Sequence, residues 1–330
     1  MSTNPSQLWC KNVGRVLRFY DRLFPPTLPI AGDELRVVVE QFRIASQSYG
    51  AVHDVLRKAE ADSTSDDSSK GSEYPWPQWE ADLGAAFANG VPQGFLEHPI
   101  VKATMVFHGR RRQASRLRVV RQVFGAEAAA DLLVEDPVGR PHLCGRRPVT
   151  SPNRLHHASH LAHYVRAVGK PFPSGPLVVE WGGGYGDAAR LVRRIVPAVT
   201  YVIIDLPAVG ALQYVYLASL LGAANVQVVE SASMALQRGA VNIMTSGVAF
   251  AHPELLADAF MSTWALTESP QALQERVLER DFFNARNVLL AYSMDRDNHV
   301  VAAVSRRGGT TRSVPDMTED GYAPSFYGFV

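Results

Sequence analysis

One stretch of the chain combines residue types that point to ligand binding. It is LVVEWGGGYGDAAR, residues 177–190, in which an apolar run ends in Glu180 and four glycines follow within five residues. Glycine can adopt positive φ angles and leaves the backbone bare, and a helix beginning near Asp187 would offer free N–H groups. The stretch therefore predicts a strand, a glycine loop and a helix that bind a cofactor. The spacing G-x-G-x-x-A from Gly184 also fits the loose dinucleotide fingerprint.

Two acidic residues near this loop favour a different cofactor. Glu180 ends the apolar run two residues before the first glycine, where its charge would oppose a pyrophosphate but would suit a cationic amino group. Asp205, in YVIIDLP, falls at the end of the next predicted strand, where an acid can accept hydrogen bonds from both hydroxyls of a ribose. A ribose and an ammonium group without a diphosphate describe S-adenosylmethionine, which is the cofactor we expect.

The second half of the chain alternates between predicted strands and helices. This alternation predicts an α/β fold with a Rossmann-like, mostly parallel sheet and helices on both faces. In such sheets ligands bind beyond the carboxyl ends of the strands. The first helix has Ser151 as its N-cap and Pro152 in its first turn. The predicted strands are PLVVEWGGG, TYVIIDLP, NVQVVES, VNIMTSG, RNVLLAYSM and HVVAAVSRR; the predicted helices are SPNRLHHASHLAHYVRAVG, DAARLVRRIV, ALQYVYLASLLG and PELLADAFMSTWAL.

The first half of the chain has a different character. Residues 1–150 are predicted to form a mainly helical region on the acceptor side of a cofactor domain that spans residues 151–330. Residues 62–72, DSTSDDSSKGS, are small and polar, which predicts a mobile linker. The segment YPWPQW follows, and its two prolines argue against a regular helix. Its aromatic residues either pack onto the core or form a lid over an acceptor; they are Tyr74, Trp76 and Trp79.

Composition argues against several classes of protein. The formal net charge of +1 disfavours a general nucleic-acid binder, and no apolar run approaches the ~20 residues of a membrane span. Cys10 and Cys144 match no metal or disulfide spacing, and the N-terminus has no signal-peptide pattern, so we expect a cytoplasmic protein. The expected partner is a small-molecule acceptor, and the sequence is compatible with a homo-oligomer.

These features resemble those of a known family. The pattern Glu-x-Gly-x-Gly-x-Gly followed by Asp-Leu-Pro is similar to that of class I S-adenosylmethionine-dependent methyltransferases. The fuller form VVEWGGGYGDAARL…YVIIDLP, preceded by SPNRLHHASHLAHY, resembles the sugar O-methyltransferases of polysaccharide and natural-product pathways. The resemblance covers roughly residues 150–295. It implies methyl transfer to a hydroxyl of a sugar or a glycosylated natural product.

The resemblance also implies roles for individual residues. Glu180 would hold the amino group of the cofactor, Asp205 would bind its ribose and Leu206 would contact its adenine. Glu230 and Ser231, after the third predicted strand, would flank the adenine edge. The remaining expected contacts come from the loop itself: Gly182, Gly183, Gly184, Tyr185 and Gly186.

Transfer to a hydroxyl needs a base, which should stand at the carboxyl edge of the sheet. His252 is the first candidate because it follows the predicted fourth strand, precedes Pro253 at a predicted helix start and can accept a proton near neutral pH. Glu254 and then His157 are the next candidates. A helix cap or a surface position would explain His252 and Glu254 equally well.

No metal site is predicted. His156, His160 and His163 share one helix face and could chelate a divalent ion, but no third ligand is identifiable, so a polar face turned to water or to the acceptor pocket is favoured. Asp295 and Asp297 fit a turn better than a pair of metal ligands. A basic segment fits either a phosphate clamp or a solvated helix face; it comprises Arg110, Arg111, Arg112, Arg116 and Arg118.

Three other functions fit parts of the sequence. A C- or N-methyltransferase of specialised metabolism would use the same cofactor half, since the acceptor half is not readable. An NAD-dependent oxidoreductase would need hydride-transfer residues such as a Tyr-x-x-x-Lys pair, yet Lys170 is the last lysine of the chain. A protein that binds the cofactor without catalysis is the third.

Overall fold

The computed structural model describes most of the chain, in the ranges 27–63, 74–109, 112–145, 147–293, 299–315, 317–318 and 321–330. Some residues considered above lie outside these ranges: Cys10, residues 64–72 of the predicted linker, Arg110, Arg111, Asp295 and Asp297. Within the ranges, no helix combines the length and apolarity needed to cross a lipid bilayer.

Eight strands form one sheet at the centre of the molecule. They are β1 (Leu177–Trp181), β2 (Thr200–Ile204), β3 (Val226–Val228), β4 (Val241–Met244), β5 (Ala259–Thr263), β6 (Asn287–Ser293), β7 (Thr310–Ser313) and β8 (Ser325–Phe329). Their spatial order is β3-β4-β2-β1-β5-β6-β8-β7. Strands β1 to β6 run parallel, while β8 is antiparallel to both of its neighbours.

Helices cover both faces of this sheet, so the predicted Rossmann-like α/β fold with a helical N-terminal region is confirmed. The helices are α1 (Gly32–Gln47), α2 (Tyr49–Ser63), α3 (Trp76–Phe87), α4 (Pro99–Thr104), α5 (Gln113–Phe124), α6 (Ala126–Leu133), α7 (Pro152–Val168), α8 (Asp187–Ile195), α9 (Pro207–Leu221), α10 (Ser246–Ala251), α11 (Ala265–Glu268), α12 (Gln271–Glu279) and α13 (His299–Arg306). Short 3₁₀ helices span Phe95–Glu97 and Ala223–Asn225, and Asp281–Asn284 is a left-handed turn.

The central strands are buried along their whole length. Every residue of β1, β2 and β4 is buried, as expected for Val- and Ile-rich parallel strands covered on both faces. Successive side chains of β1 enter different apolar clusters: Val178 packs in one cluster and Val179 in the other. The two clusters together fix the sheet, and with it the strand ends that carry Glu180 and Asp205.

The helices before residue 150 pack against this sheet domain. Tyr49, Leu56 and Phe87 belong to the same apolar cluster as Val178 of β1. The Tyr49 hydroxyl also donates a hydrogen bond of 3.1 Å to the Ala208 carbonyl in α9. The N-terminal helices therefore reach the start of α9, directly after Asp205. The division of the chain at residue 150 stays a prediction.

Three predicted elements are wrong. The segment PELLADAFMSTWAL contains strand β5, because its backbone pairs with β1 on one side and with β6 on the other. The segment HVVAAVSRR contains helix α13, since its buried residues Val300, Ala303 and Val304 recur at helical spacing. The prolines of YPWPQW do not prevent α3: Pro77 lies in the first turn, where a backbone N–H has no helical partner.

Candidate functional site

A cavity of about 1100 Å³ opens at the carboxyl ends of β1, β2 and β5. The strand order reverses here, since β2 and β5 lie on opposite sides of β1. The glycine loop, the residues after β2 and β5, and parts of α3 and α7 line it. Small-molecule sites usually measure about 300–1,000 Å³. This cavity therefore has room for a cofactor and a second small molecule.

The glycine loop cannot carry side chains at its critical positions. Gly182 has φ +75°, and a Cβ built on it would lie 2.0 Å from the Cβ of Ala265. A Cβ on Gly183 would lie 2.7 Å from Cγ2 of Ile203. Gly184 and Gly186 also have positive φ, at +54° and +101°. The loop thus brings bare backbone to the cavity between β1 and α8.

Glu180 is buried at the carboxyl end of β1 and lines the cavity. The Tyr201 hydroxyl donates a hydrogen bond of 2.9 Å to Oε2 of Glu180. Burial raises the pKa of Glu180 to about 8, although this hydrogen bond acts in the opposite direction. At neutral pH the carboxyl is therefore largely protonated, and a cationic group placed beside it would favour its ionised form.

Asp205 lies at the end of β2 and also lines the cavity. Its Oδ2 accepts from the Gly183 N–H at 2.8 Å and from Nε2 of Gln213 at 2.7 Å, and its Oδ1 accepts from the Leu206 N–H at 2.9 Å. Burial raises its pKa to about 7 against the effect of these hydrogen bonds. A carboxylate offers about four acceptor positions, so about one remains for a ligand, on Oδ1.

A buried ion-pair network fixes the helix that follows the glycine loop. Arg154 is fully buried in α7, where Nη2 lies 2.7 Å from Asp136 and 2.7 Å from Asp187 and 3.1 Å from Glu135. The Ser151 side chain caps α7, as predicted, by accepting from the Arg154 N–H at 3.0 Å. Because Asp187 is the first residue of α8, the network ties the start of α7 to the glycine loop.

His157 is the histidine of α7 that combines access to the cavity with an ionised partner. It lines the cavity, its side chain is 17% exposed, and its Nδ1 lies 2.9 Å from Oδ2 of Asp187. Burial alone would raise the pKa of Asp187, but Arg154 and His157 hold it well below its usual range. With Nδ1 directed at an ionised carboxylate, Nε2 is the nitrogen that a ligand can reach.

The other predicted histidine face is buried in aromatic packing. The ring of His156 stacks on Phe107 at 3.8 Å and lies 5.6 Å from Trp264, while His160 Nδ1 hydrogen-bonds the Tyr327 hydroxyl at 2.7 Å. Burial lowers the pKa of both histidines well below 6.5. Of the two orientations expected for this face, exposure to water is wrong for His156 and His160. His156 instead lines the cavity beside Phe107 and Trp264, and whether this part of the cavity binds an acceptor stays a prediction.

Five predicted site residues lie outside the lining of this cavity: Gly186, which belongs to the glycine loop, and four residues that are far from that loop in sequence. His252 is 1% exposed, with Nε2 2.9 Å from the Met234 carbonyl and Nδ1 accepting from the Glu254 N–H at 3.3 Å. Glu254, Glu230 and Ser231 are exposed. This placement does not support a catalytic role for His252 or Glu254, or a cofactor contact by Glu230 or Ser231.

The strand order explains these misplacements. Strand β4 pairs with β2, and β3 is added outside it, so residues after β3 lie at the sheet edge. The strand beside β1 on the other side is β5, which was hidden in a predicted helix. Thr263, the last residue of β5, and Trp264, which follows it, therefore stand where residues after the fourth predicted strand were expected. Ser246, after β4, takes the place expected for Glu230 in the lining.

The remaining predicted cofactor residues come together. The lining includes Glu180, Asp205 and Leu206, together with the loop residues Gly182, Gly183, Gly184 and Tyr185. Gly186 packs instead against Leu217 and Tyr216 of α9. Their roles toward a cofactor stay predictions.

Sequence reasoning missed several residues of the site. Gln213 orients Asp205, and Asn153 donates to the Tyr185 hydroxyl at 2.9 Å. Glu80 of α3 and Trp264 also line the cavity. Asn153 stands in SPNRLHH, a stretch already noted for its resemblance. The aromatic residues expected either to pack onto the core or to form a lid, Tyr74, Trp76 and Trp79, do line the cavity, but no local signal singles out Glu80 beside them.

The structure also bears on the basic segment and on metal binding. Arg116 is buried with its guanidinium 4.7 Å from the Phe107 ring centroid, so it does not lie on a solvated helix face. The described residues contain no group of three or more His, Cys, Asp or Glu side chains placed to hold a metal ion.

No family model and no curated protein matches the chain. Solved structures that resemble it include an O-methyltransferase family protein from Burkholderia thailandensis (17% identity, 54% of this chain, 60% of that one, TM-score 0.34). Human N-acetylserotonin methyltransferase in complex with SAM (15%, 77% and 65%, 0.31) and a SAM-dependent methyltransferase from Aquifex aeolicus (17%, 55% and 94%, 0.35) are others. At these identities and TM-scores the likeness decides nothing about activity.

Proposed function

We propose that the protein is a methyltransferase that uses S-adenosylmethionine to methylate a small molecule. The observation that carries this proposal is the placement of Glu180 and Asp205 beside the glycine loop, in one cavity. Glu180 would bind the cationic amino group and Asp205 a ribose hydroxyl, while Leu206 would contact the adenine. The bound cofactor would supply an electrophilic methyl group.

The same geometry disfavours the oxidoreductase alternative. A pyrophosphate at the glycine loop would lie near the carboxyl group of Glu180, and its negative charge would keep that carboxyl protonated or repel it. Asp205 does not discriminate between the two cofactors, because an acid at this position can bind the ribose of either. In the described part of the chain, no Lys or Arg lines the cavity to offset the charge of a pyrophosphate. A dinucleotide therefore fits this loop less well than a cofactor without a diphosphate.

We propose His157 as the base when the acceptor is a hydroxyl. Asp187 would hold the Nδ1 proton, leaving Nε2 free to accept a proton as the acceptor oxygen attacks the methyl group. This is the third of the candidates drawn from the sequence, and it replaces His252 because it alone of the three lines the cavity.

The acceptor that we propose is a hydroxyl of a sugar or a glycosylated natural product. Its support is the resemblance of the sequence, together with the aromatic side chains of Phe107, His156 and Trp264, which give the cavity an apolar lining. A C- or N-acceptor would fit the same cavity and would not need His157.

Methyl transfer itself is the test of this proposal. The protein is incubated with S-adenosylmethionine and a panel of neutral glycosides, phenols and amines, and formation of S-adenosylhomocysteine is followed with and without each acceptor. Acceptor-dependent product with a glycoside would support the proposal in full. Turnover only with amines would favour the N-methyltransferase alternative. Absence of turnover with any acceptor would leave a non-catalytic binder as the better account.

A further inference from the structure

Helix α3 of the N-terminal region contributes a carboxylate to the cavity that holds Asp205. Trp76, Trp79 and Glu80 of this helix line the cavity, with the two indole rings 5.2 Å apart in an edge-to-face contact. Glu80 is close enough to Asp205 for its charge to contribute to the raised pKa of Asp205. An acid thus stands near the expected ribose position, on a helix whose aromatic pair lines the same cavity.

The two oxygens of Glu80 are used unequally. Oε1 accepts from the Ala208 N–H at 2.8 Å and lies 3.7 Å from Nε2 of His53. Oε2 is buried and has no hydrogen-bond partner among the described residues. A buried carboxylate oxygen without a donor is costly. Oε1 thus anchors Glu80 at the start of α9, and Oε2 is the oxygen of this cavity-lining residue that has no donor among the described residues.

The hydrogen bonds of Asp205 make a second acceptor necessary. A ribose presents two neighbouring hydroxyls, each of which donates one hydrogen bond. Asp205 already accepts from Gly183, Leu206 and Gln213, which leaves about one acceptor position. One hydroxyl therefore lacks an acceptor on Asp205, although the sequence alone suggested that Asp205 would hold both.

We propose that Glu80 is a second ribose-binding residue, which accepts a hydrogen bond from one hydroxyl of the cofactor while Asp205 accepts from the other. The inference rests on the proposed function, since it concerns the same cofactor. It makes α3, from the N-terminal region, part of the cofactor site. Trp76 and Trp79 of the same helix line the cavity as well.

The test is a set of calorimetric titrations with S-adenosylhomocysteine and its 2′-deoxy and 3′-deoxy analogues. In Glu80→Gln the amide oxygen can still accept from Ala208, while an NH₂ group replaces Oε2. This variant should bind S-adenosylhomocysteine about tenfold more weakly, yet bind one of the deoxy analogues as well as the wild type does. Asp82→Asn is the control, because Asp82 is an exposed acid of the same helix that does not line the cavity. It should change nothing.

A second variant keeps the test independent of how well Glu80→Gln folds. Asp205→Asn should likewise bind S-adenosylhomocysteine more weakly than the wild type does. It should match the wild type in its affinity for one deoxy analogue, and this should be the analogue that Glu80→Gln does not single out. Two results would overturn the role of Glu80 and leave the proposed function standing. In one, Asp205→Asn matches the wild type in its affinity for both deoxy analogues; in the other, Glu80→Gln lowers the affinity for all three ligands by the same factor. If the wild type binds no S-adenosylhomocysteine, both are overturned.

Discussion

At the scale of single residues, the proposed roles of Glu180 and Asp205 predict that cofactor affinity depends on pH. In the free protein the pKa of Glu180 is about 8 and that of Asp205 about 7. A bound ammonium group would lower the pKa of Glu180, so binding should release a proton at lower pH. The affinity for S-adenosylhomocysteine should therefore rise from pH 6 to 7.5, by up to about tenfold per pH unit for each proton released. Calorimetry in buffers of different ionisation enthalpy measures both quantities.

Glu180→Gln is the matched variant for this prediction. The glutamine side chain has no proton to release when the cofactor binds. The slope of log affinity against pH should therefore be smaller than in the wild type, by about one proton per molecule of ligand bound. Since the folded protein raises the pKa of Glu180 from 4.5 to about 8, wild-type stability should fall as the pH rises through that interval, and the variant should lose less. An equal pH slope in both proteins would contradict the assignment of Glu180.

His157 gives the second prediction at this scale. His157→Gln should lower kcat about 10²–10⁴-fold for a hydroxyl acceptor while leaving the affinity for S-adenosylhomocysteine nearly unchanged. His252→Gln is the comparison, because His252 is buried away from the cavity. This substitution should lower the stability of the protein, while the folded fraction keeps its kcat. Steady-state kinetics on both variants decide the matter. A normal kcat in His157→Gln would exclude it as the base.

Local signals account for what the sequence revealed about these residues. Glu180, the glycines and Asp205 could be predicted because each lies at a fixed distance from the end of its own strand. Glu230 and Ser231 were misplaced because their position depends on whether β3 or β4 pairs with β2. That choice is made by contacts between distant segments, which no local spacing encodes.

At the scale of elements, the turn between β1 and α8 tolerates no side chain at Gly182. Gly182→Ala would place a Cβ 2.0 Å from that of Ala265, in a backbone with φ +75°. Gly169, which ends α7, has the same φ and open space around it. Gly169→Ala should therefore cost only the left-handed strain of ~1–2 kcal/mol, whereas Gly182→Ala should cost more and abolish cofactor binding. Urea unfolding compares the two, and equal costs would mean that the turn can relax.

The Arg154 network provides the second prediction at this scale. Arg154→Met would leave Asp136, Asp187 and Glu135 without their shared cation, and breaking a buried ion pair in this way costs about 3–5 kcal/mol. Arg166→Met, at an exposed position of the same helix, should change the free energy of unfolding little. A loss below about 1 kcal/mol in Arg154→Met would show that the network contributes little to stability.

Elements were predictable where pattern and packing agree. The start of α7 has an N-cap, and β1 and β2 are apolar runs. These local patterns identify the three elements without any knowledge of the segments that pack against them. Strand β5 does not: its five residues become a strand because β1 and β6 pair with it on both sides. Helix α13 was taken for a strand because its valines have high β-propensity, although only one of its faces is buried.

At the scale of the whole molecule, the N-terminal helices and the sheet build one site. Since α3 lines the cavity, a bound cofactor should stabilise this helix as well as the glycine loop. Hydrogen exchange with and without S-adenosylhomocysteine should show slower exchange in α3, and little change in α5, which lies outside the lining. Unchanged exchange in α3 with protection of the glycine loop would mean that the N-terminal region serves the acceptor alone.

The choice of cofactor is the central claim, and direct titration tests it. The wild-type protein is titrated calorimetrically with S-adenosylhomocysteine and, separately, with NAD at the same pH. We predict a dissociation constant in the micromolar range for S-adenosylhomocysteine, roughly −8 kcal/mol, and no measurable binding of NAD. Binding of NAD in the absence of S-adenosylhomocysteine binding would contradict the claim, because Glu180 beside the glycine loop would then not select against a diphosphate.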